Sequence, residues 1–281
     1  MEDKIKPLNV LSRIEELDMN QKLLRVHNIL KEFGLNPYAF FNAIRGIPFY
    51  CRDYYKIRRQ MGPKSEFKFG TIFPILSQRF KESGTMSGHY FHQDLYVARK
   101  IYHNNPNRHI DIGSRTDGFV AHVAVFREIE IIDIRGQNSK VKNIVFRKAD
   151  LMQLPANLVN AADSVSSLHA IEHFGLGRYG DPIDFDGHIK GLNNIYKILK
   201  PGGKFYFSVP LGYQRIEFNA HRVFSVRYLL NILEKQYNIN QFSYVDDNGD
   251  FHEDVELNKD GINSNYGCYY DSCGIFELTK K

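Results

Sequence analysis

Beyond Pro106 the chain alternates short apolar runs with longer mixed segments, and this alternation restricts the fold more than any other feature. The runs are "HIDIGS", "IEIIDIR", "NIVFRKAD", "DSVSSLHA" and "KFYFSVP". Each is strand-length and rich in β-branched or aromatic residues, the mark of strands buried in a sheet. Before the last of them, "HIKGLNNIYKILKPGG" puts Ile189, Leu192, Ile195 and Leu199 on one helical face. Pro201, Gly202 and Gly203 then stop that helix. Strands alternating with helices predict a mostly parallel α/β sheet covered on both faces. The tail, "HRVFSVRYLLNILEKQ", "INQFSYVDD" and "CGIFELTK", predicts one more helix and two strands that finish antiparallel.

From Asp3 to about Arg99 the texture is helical instead, broken at "FGLNP", "RGIP" and "MGPKS". Leu11, Ile14, Leu17, Leu23, Leu24, Val26, Ile29 and Leu30 recur at helical spacing, which predicts faces for core or partner packing. The expected organisation is a helical N-terminal extension over residues 1–99, serving as lid, as contact between copies in a homo-oligomer or as acceptor platform, and an α/β domain over residues 100–281. A chain of 281 residues buries a sizeable core in either arrangement.

Composition excludes little beyond the extremes. With 43% apolar and 25% charged residues the chain is neither disordered nor fibrous. Its net charge of +5 is scattered rather than clustered, which disfavours nucleic acid as a partner. Cys51, Cys268 and Cys273 form no CxxC pair and are expected as free thiols in a reducing compartment. No apolar run is long enough to span a bilayer and the charged opening is unlike a signal peptide. The expectation is a soluble, cytoplasmic protein without a membrane partner.

In an open α/β sheet the ligand sits beyond the carboxyl ends of the strands, where the first strand meets its loop. "HIDIGSRTDGF" occupies that place, and three nucleotide motifs compete for it. A P-loop needs lysine and a hydroxyl after its last glycine, but Phe119 and Val120 stand there. A dinucleotide fingerprint needs a second glycine where Arg115 stands, and Asp111 would repel the diphosphate. A carboxylate suits a cationic ligand better, such as the ammonium and sulfonium of S-adenosylmethionine. Asp133 after the second strand is placed to accept from ribose hydroxyls. Asp150 after the third is placed to accept from an adenine amino group, with Leu151 packing on the ring.

Taken in order, "DIGSRTDGF", "IIDIR", "ADLMQLP", "DSVSSLHAIEHF" and "LKPGGKFYFSVP" resemble the class I S-adenosylmethionine-dependent methyltransferases over about residues 107–212. "SGHYFHQDLYVARKI" and "EHFGLGRYGDPID" also resemble an uncharacterised, methyltransferase-like domain-of-unknown-function branch. The resemblance implies a Rossmann-like sheet of strand order 3-2-1-4-5-7-6 with the last strand antiparallel. It also implies cofactor contacts at Asp111, Gly113, Ser114, Gly118, Asp133, Ile134, Asp150, Leu151 and His169. Arg115 and Asp117 stand where the family's loop usually carries glycines.

Methyl transfer requires an aligned acceptor and, for a hydroxyl, a base. His169, Glu172 and His173 follow the fourth strand at spacings of three and four, and His221 comes later. One reading makes these four a divalent metal site, by analogy with class I O-methyltransferases; another makes His173, His221 or His169 the catalytic base. Arg178, Tyr179 and Asp181 in "GLGRYGDP", with Tyr90 upstream, are the expected acceptor contacts, and His89, Phe91 and Gln93 would join Tyr90 in a lid. The functional expectation is an O-methyltransferase acting on a small polar acceptor, a sugar, sugar nucleotide or glycan precursor. The rival readings are a noncatalytic binding protein, an NAD- or nucleotide-sugar-using enzyme, and an RNA methyltransferase.

Overall fold

A computed structural model describes residues 26–270 and 272–281, so Leu11, Ile14, Leu17, Leu23 and Leu24 lie outside the described residues. The chain divides into two compact units, residues 1–84 and 85–281.

In the first unit, helix α1 (Pro37–Gln60) begins behind Asn36, whose side chain accepts from the Ala39 N–H, with Pro37 in the first turn where no N–H is needed. It packs one face against the segment that follows: a Cβ on Gly46 would lie 2.0 Å from the Leu76 carbonyl oxygen. Phe49 meets Phe80 edge-on, and Arg79 pairs with Asp53 at 2.5 Å. Residues 61–88 are irregular apart from a 3-10 turn at Gln78–Phe80, so the helical texture expected up to Arg99 is interrupted there.

The second unit is an eight-stranded sheet. Its strands in chain order are β1 (His109–Ile112), β2 (Ile129–Asp133), β3 (Ile144–Lys148), β4 (Ala162–Leu168), β5 (Leu199–Leu211), β8 (Tyr237–Val245), β9 (Phe251–His252) and β10 (Ser272–Lys280). A separate hairpin pairs β6 (Arg215–Glu217) with β7 (His221–Val223). The sheet order is β3-β2-β1-β4-β5-β10-β8-β9. Strands β1 to β5 run parallel, while β10 lies antiparallel to both β5 and β8. With β9 set aside as a two-residue edge, this is the expected 3-2-1-4-5-7-6 order with its reversed last strand. Every residue of β1 is buried, His109 and Asp111 included, so the polar–apolar alternation of this strand does not mark a solvent-facing side.

Helix α2 (His89–Asn104) covers one face, packing Tyr96, Val97 and Ile101 on Phe119, Val120 and Ile131. On the other face lie α3 (Gly187–Ile198) and α4 (Val226–Leu233), with Leu192, Ile195, Leu229 and Leu233 against Ile110, Val165 and Phe205. The expected boundary at residue 99 falls inside α2. Its buried Tyr96, Val97 and Ala98 tie that helix to the sheet, so the unit begins at residue 85. Cys268 and Cys273 are buried free thiols and Cys51 is exposed.

Candidate functional site at the carboxyl ends of the strands

The switch from β2 on one side of β1 to β4 on the other opens a cleft above the carboxyl ends of these strands, the position dictated by the topology. It encloses about 520 Å³, part of it open to solvent, over an apolar floor that includes Ile112, Ile132, Leu151 and Phe174. Gly113, Asp133, Ile134, Asp150, Leu151 and His169, six of the residues expected to meet a cofactor, line it. His173, Tyr179 and Asp181, expected on the acceptor side, line the same cleft.

Asp111, Ser114 and Gly118 do not. Asp111 is fully buried beneath the loop: its carboxylate accepts from the Ser114 N–H (3.0 Å), the Ser114 hydroxyl (2.6 Å) and the Ser166 hydroxyl (2.6 Å). The Ser114 oxygen in turn accepts from the Leu168 N–H at 3.0 Å. Ser166 also meets Nε2 of the buried His109, whose imidazole is pushed down to about 3 by burial. Asp111 is therefore a brace that shapes the β1 loop from beneath the cleft rather than from its wall. Burial, with a smaller push from the charge of Asp133, raises its carboxyl to about 6 against those hydrogen bonds.

Gly118 answers to a different neighbour. A Cβ there would lie 2.5 Å from Oδ2 of Asp94, a carboxylate from α2 that accepts from the Phe119 N–H. Asp94 thereby fills the start of the turn at Thr116–Val120, the place where a dinucleotide fold receives its diphosphate. Burial pushes Asp94 up to about 6 as well. Arg115 turns away from the cleft, pairing with Asp117 and lying 4.9 Å above the Tyr90 ring.

Beside Asp133, sequence reasoning missed Arg135. Its guanidinium forks onto both oxygens of Asp133 (3.0 and 2.6 Å) and stacks 4.3 Å from the Tyr179 ring across the cleft. Its spacing of two from a strand-end acid was the available signal. Asp150 uses one oxygen to hold the Met152 N–H at 2.9 Å.

Beyond β4, His169 adopts a left-handed backbone (φ 52°), and its Nδ1 lies 3.0 Å from Oε1 of the buried Glu172. Its ring packs against His89 and Tyr90. Burial raises both Tyr90, to about 12, and Glu172. Gln93, expected in a lid, is buried, accepting from the Ser208 hydroxyl at 2.6 Å. His173 donates from Nδ1 to the Ala220 carbonyl at 2.7 Å, because a carbonyl can only accept. The tautomer so fixed keeps a lone pair on Nε2, 3.8 Å from Glu172 Oε1. Burial lowers the His173 pKa more than the Glu172 charge raises it.

The expected metal set is not assembled. Among the described residues no group of three or more potential ligands converges on one point. Glu172 is engaged by His169, the His173 Nδ1 is taken by Ala220, and the His221 ring stands 6.4 Å from that of His173, nearer Glu217.

The expected acceptor loop also uses its polar groups internally. Asp181 accepts from the N–H groups of Gly175, Gly177 and Tyr179, and Arg178 donates to the Ala220 carbonyl at 2.9 Å. Gly175 has φ 78°, and a Cβ there would lie 2.0 Å from the Asp184 carbonyl oxygen. A second residue missed from sequence, buried Arg222 on β7, clamps the loop by donating to the carbonyls of Phe174 (2.6 Å), Phe185 (2.9 Å) and Glu172 (3.3 Å).

Fold and site together define a protein with the strand order of the class I methyltransferase sheet and a cleft at its switch point. The chain belongs to the family described as "Caenorhabditis protein of unknown function, DUF268", whose model matches residues 121–266, just over half of the sequence. No curated protein matches it. Among solved structures it is similar to N-methyltransferase NodS from Bradyrhizobium japonicum WM9 in complex with S-adenosyl-L-homocysteine (11% identity, 69% of this chain and 88% of that one, TM-score 0.46). It is also similar to 1,6-didemethyltoxoflavin-N1-methyltransferase from Burkholderia thailandensis (11%, 67% and 78%, 0.44) and the [4+2]-cyclase SpnF (15%, 62% and 75%, 0.42).

Proposed function

We propose that the protein is an S-adenosylmethionine-dependent methyltransferase that methylates an acceptor hydroxyl. One observation carries the reading: the Asp94 carboxylate already occupies the turn that would receive a diphosphate, while Asp133 and Asp150 remain at the cleft wall. Asp94 and Asp111 put two buried carboxylates at this end of the sheet, which disfavours a dinucleotide and favours a cationic nucleoside. Asp133 would accept from the ribose hydroxyls once Arg135 yields or shares its oxygens, and Asp150 would accept from the adenine amino group above Leu151. Arg115, which as an obstruction would have favoured a noncatalytic binder, pairs with Asp117 outside the cleft.

S-adenosylmethionine held there would supply an electrophilic methyl group. His173 is the proposed base: its Nε2 would take the proton of the acceptor hydroxyl as that oxygen is methylated. The carbohydrate expectation rested on Arg178 and Asp181: Asp181 holds three N–H groups of its own loop, and Arg178 gives one of its donors to the Ala220 carbonyl on the β6–β7 hairpin.

Calorimetric titration tests the cofactor assignment. S-adenosylhomocysteine is expected to bind and NAD to give no heat, and Asp133→Ala is expected to weaken the former at least about tenfold, as loss of a hydrogen-bonded charge does. Heat with NAD and none with S-adenosylhomocysteine would overturn the reading.

A further inference from the structure

Beneath the β1 loop a row of polar side chains is packed where a sheet meets a helix and apolar residues would serve. His109, Asp111, Ser114, Ser164 and Ser166 are each 3% exposed or less. The register sets His109 beside Ser164 and Asp111 beside Ser166, with Ile131, which packs under α2, on the other side of Asp111. Leucine or valine in these places would bury no polar atom, so the row points to a role other than packing.

The row is one hydrogen-bonded chain whose protons have fixed addresses. Oδ1 of Asp111 lies 2.6 Å from both the Ser114 and the Ser166 hydroxyl, and Oδ2 lies 3.0 Å from the Ser114 N–H. All three can donate only to an ionised carboxylate, because a protonated one has to give its own hydrogen to one of the hydroxyls. With its hydrogen committed to Asp111, the Ser166 oxygen accepts from His109 at 3.0 Å, which puts the imidazole proton on Nε2. Nδ1 then accepts from the Ser164 hydroxyl at 2.9 Å. At the other end Ser114 accepts from the Leu168 N–H at 3.0 Å, tying the loop to the end of β4.

Protonation of Asp111 breaks this order. The carboxyl must donate to Ser114 or to Ser166, and the hydroxyl it meets has to turn its own hydrogen away. For Ser166 the other neighbour is His109 Nε2, which would have to become an acceptor with the ring proton moved to Nδ1. Ser114 carries the backbone into the turn at Thr116–Val120, and Gly113 before it lines the cleft. Three charged groups surround the chain. Asp133 at the end of β2 opposes ionisation of Asp111, Arg127 joins burial in keeping His109 neutral, and Asp94 on α2 stands at the far side of the loop against Gly118.

We propose that His109 and Asp111 position the β1 loop as one unidirectional chain, and that the loop keeps its ligand-binding shape only while Asp111 is ionised. The link to binding rests on the S-adenosylmethionine reading above; the proton order does not. Since burial raises the Asp111 carboxyl to about 6 and lowers His109 to about 3, acidification from pH 7 to 5 protonates the former and leaves the latter neutral.

Nuclear magnetic resonance on the full chain reads the proton order without any ligand. The His109 imidazole, assigned by its loss in His109→Gln, should be the Nε2–H tautomer at pH 7 and uncharged at pH 5. The Ser114 amide should move with a midpoint near pH 6 and stay fixed in Asp111→Asn. Ser166→Ala, which takes one donor from the ionised carboxylate, should raise that midpoint, and it keeps the proposal testable if the Asn variant fails to fold. Calorimetry reads the consequence. Affinity for S-adenosylhomocysteine should fall about tenfold from pH 7 to pH 5, the loss expected when only the ionised form binds and its share drops to about one tenth. Asp111→Asn should bind about tenfold more weakly than the parent at pH 7 and lose most of the pH dependence, whereas Asp94→Asn should retain it. An Nδ1–H tautomer at pH 7, a Ser114 amide indifferent to pH, or the parent's pH dependence in Asp111→Asn overturns the proposal. Failure of S-adenosylhomocysteine to bind at any pH overturns the cofactor reading, and the link to binding with it, while the resonances alone decide the proton order.

Discussion

His173 has its tautomer set by the Ala220 carbonyl, so protonation would have to occur at Nε2, the atom proposed to take the acceptor's proton. Burial holds the imidazole below its usual 6.5, so the neutral form predominates at pH 7 and the acid limb of kcat/KM should lie below pH 6.5. His173→Ala is expected to lower kcat by roughly 10²- to 10⁴-fold while leaving the affinity for S-adenosylhomocysteine within a few-fold. An unchanged kcat in the variant would remove His173 from the reaction. The same depressed pKa bears on stability. The unfolded imidazole binds its proton first as pH falls, so this residue's contribution is present above 6.5 and is lost on acidification. Asp94 behaves oppositely. Its folded pKa of about 6 exceeds the 3.8 of the free side chain, so the native state holds the extra proton and stability is lost as pH rises from about 4 through 6. A shift of that size corresponds to roughly 3 kcal/mol. Asp94→Asn, which keeps an oxygen for the Phe119 N–H, should therefore gain on the parent protein by up to about that amount across this window in urea unfolding. Parallel pH profiles for the two proteins would refute the assignment.

Among the elements, the loop from Phe174 to Asp186 depends on contacts that run in both directions along the chain. Asp181 gathers three of the loop's own N–H groups, and Arg222, from a strand far ahead in sequence, gathers its carbonyls. Arg222→Met retains the aliphatic stem but leaves buried carbonyls without a donor, and should cost about 2–4 kcal/mol in chemical denaturation. Because the loop also carries Tyr179 against the cleft, acceptor KM should rise in this variant more than kcat falls. Gly175→Ala should be at least as harmful, since the left-handed backbone and the Asp184 carbonyl both exclude a methyl group. These dependencies mark where the sequence was legible. The glycines and acids at strand ends, Gly113, Asp133 and Asp150, could be read because strand periodicity fixes where a strand-end residue faces. Asp111 was read as a ligand contact because nothing local reports that Ser166, on another strand, would close over it. Arg135 and Arg222 were missed for the same reason, since a side chain's partner across the fold leaves no local pattern.

For the whole molecule, the division at residues 84 and 85 leaves the cleft within one unit. Every residue lining the cleft, from Ile112 to Asp181, belongs to the second unit, as do the braces Asp94, Asp111 and Arg222. Among the described residues the first unit contributes none of them, and its long helix shields few of its own side chains. A nucleoside bound in the cleft should therefore stabilise residues 85–281 irrespective of what happens to the preceding chain. Between α1 and α2, residues 61–88 are largely irregular and exposed, which makes them the natural substrate for a protease acting on folded protein. Brief digestion should cut there and leave a resistant fragment beginning near residue 85. Mass spectrometry identifies its end, and calorimetry on the purified fragment should return an affinity for S-adenosylhomocysteine within a few-fold of the intact chain. A fragment that folds by circular dichroism but no longer binds would mean that the first unit completes the nucleoside site, because the strand ends and α2 remain intact in it.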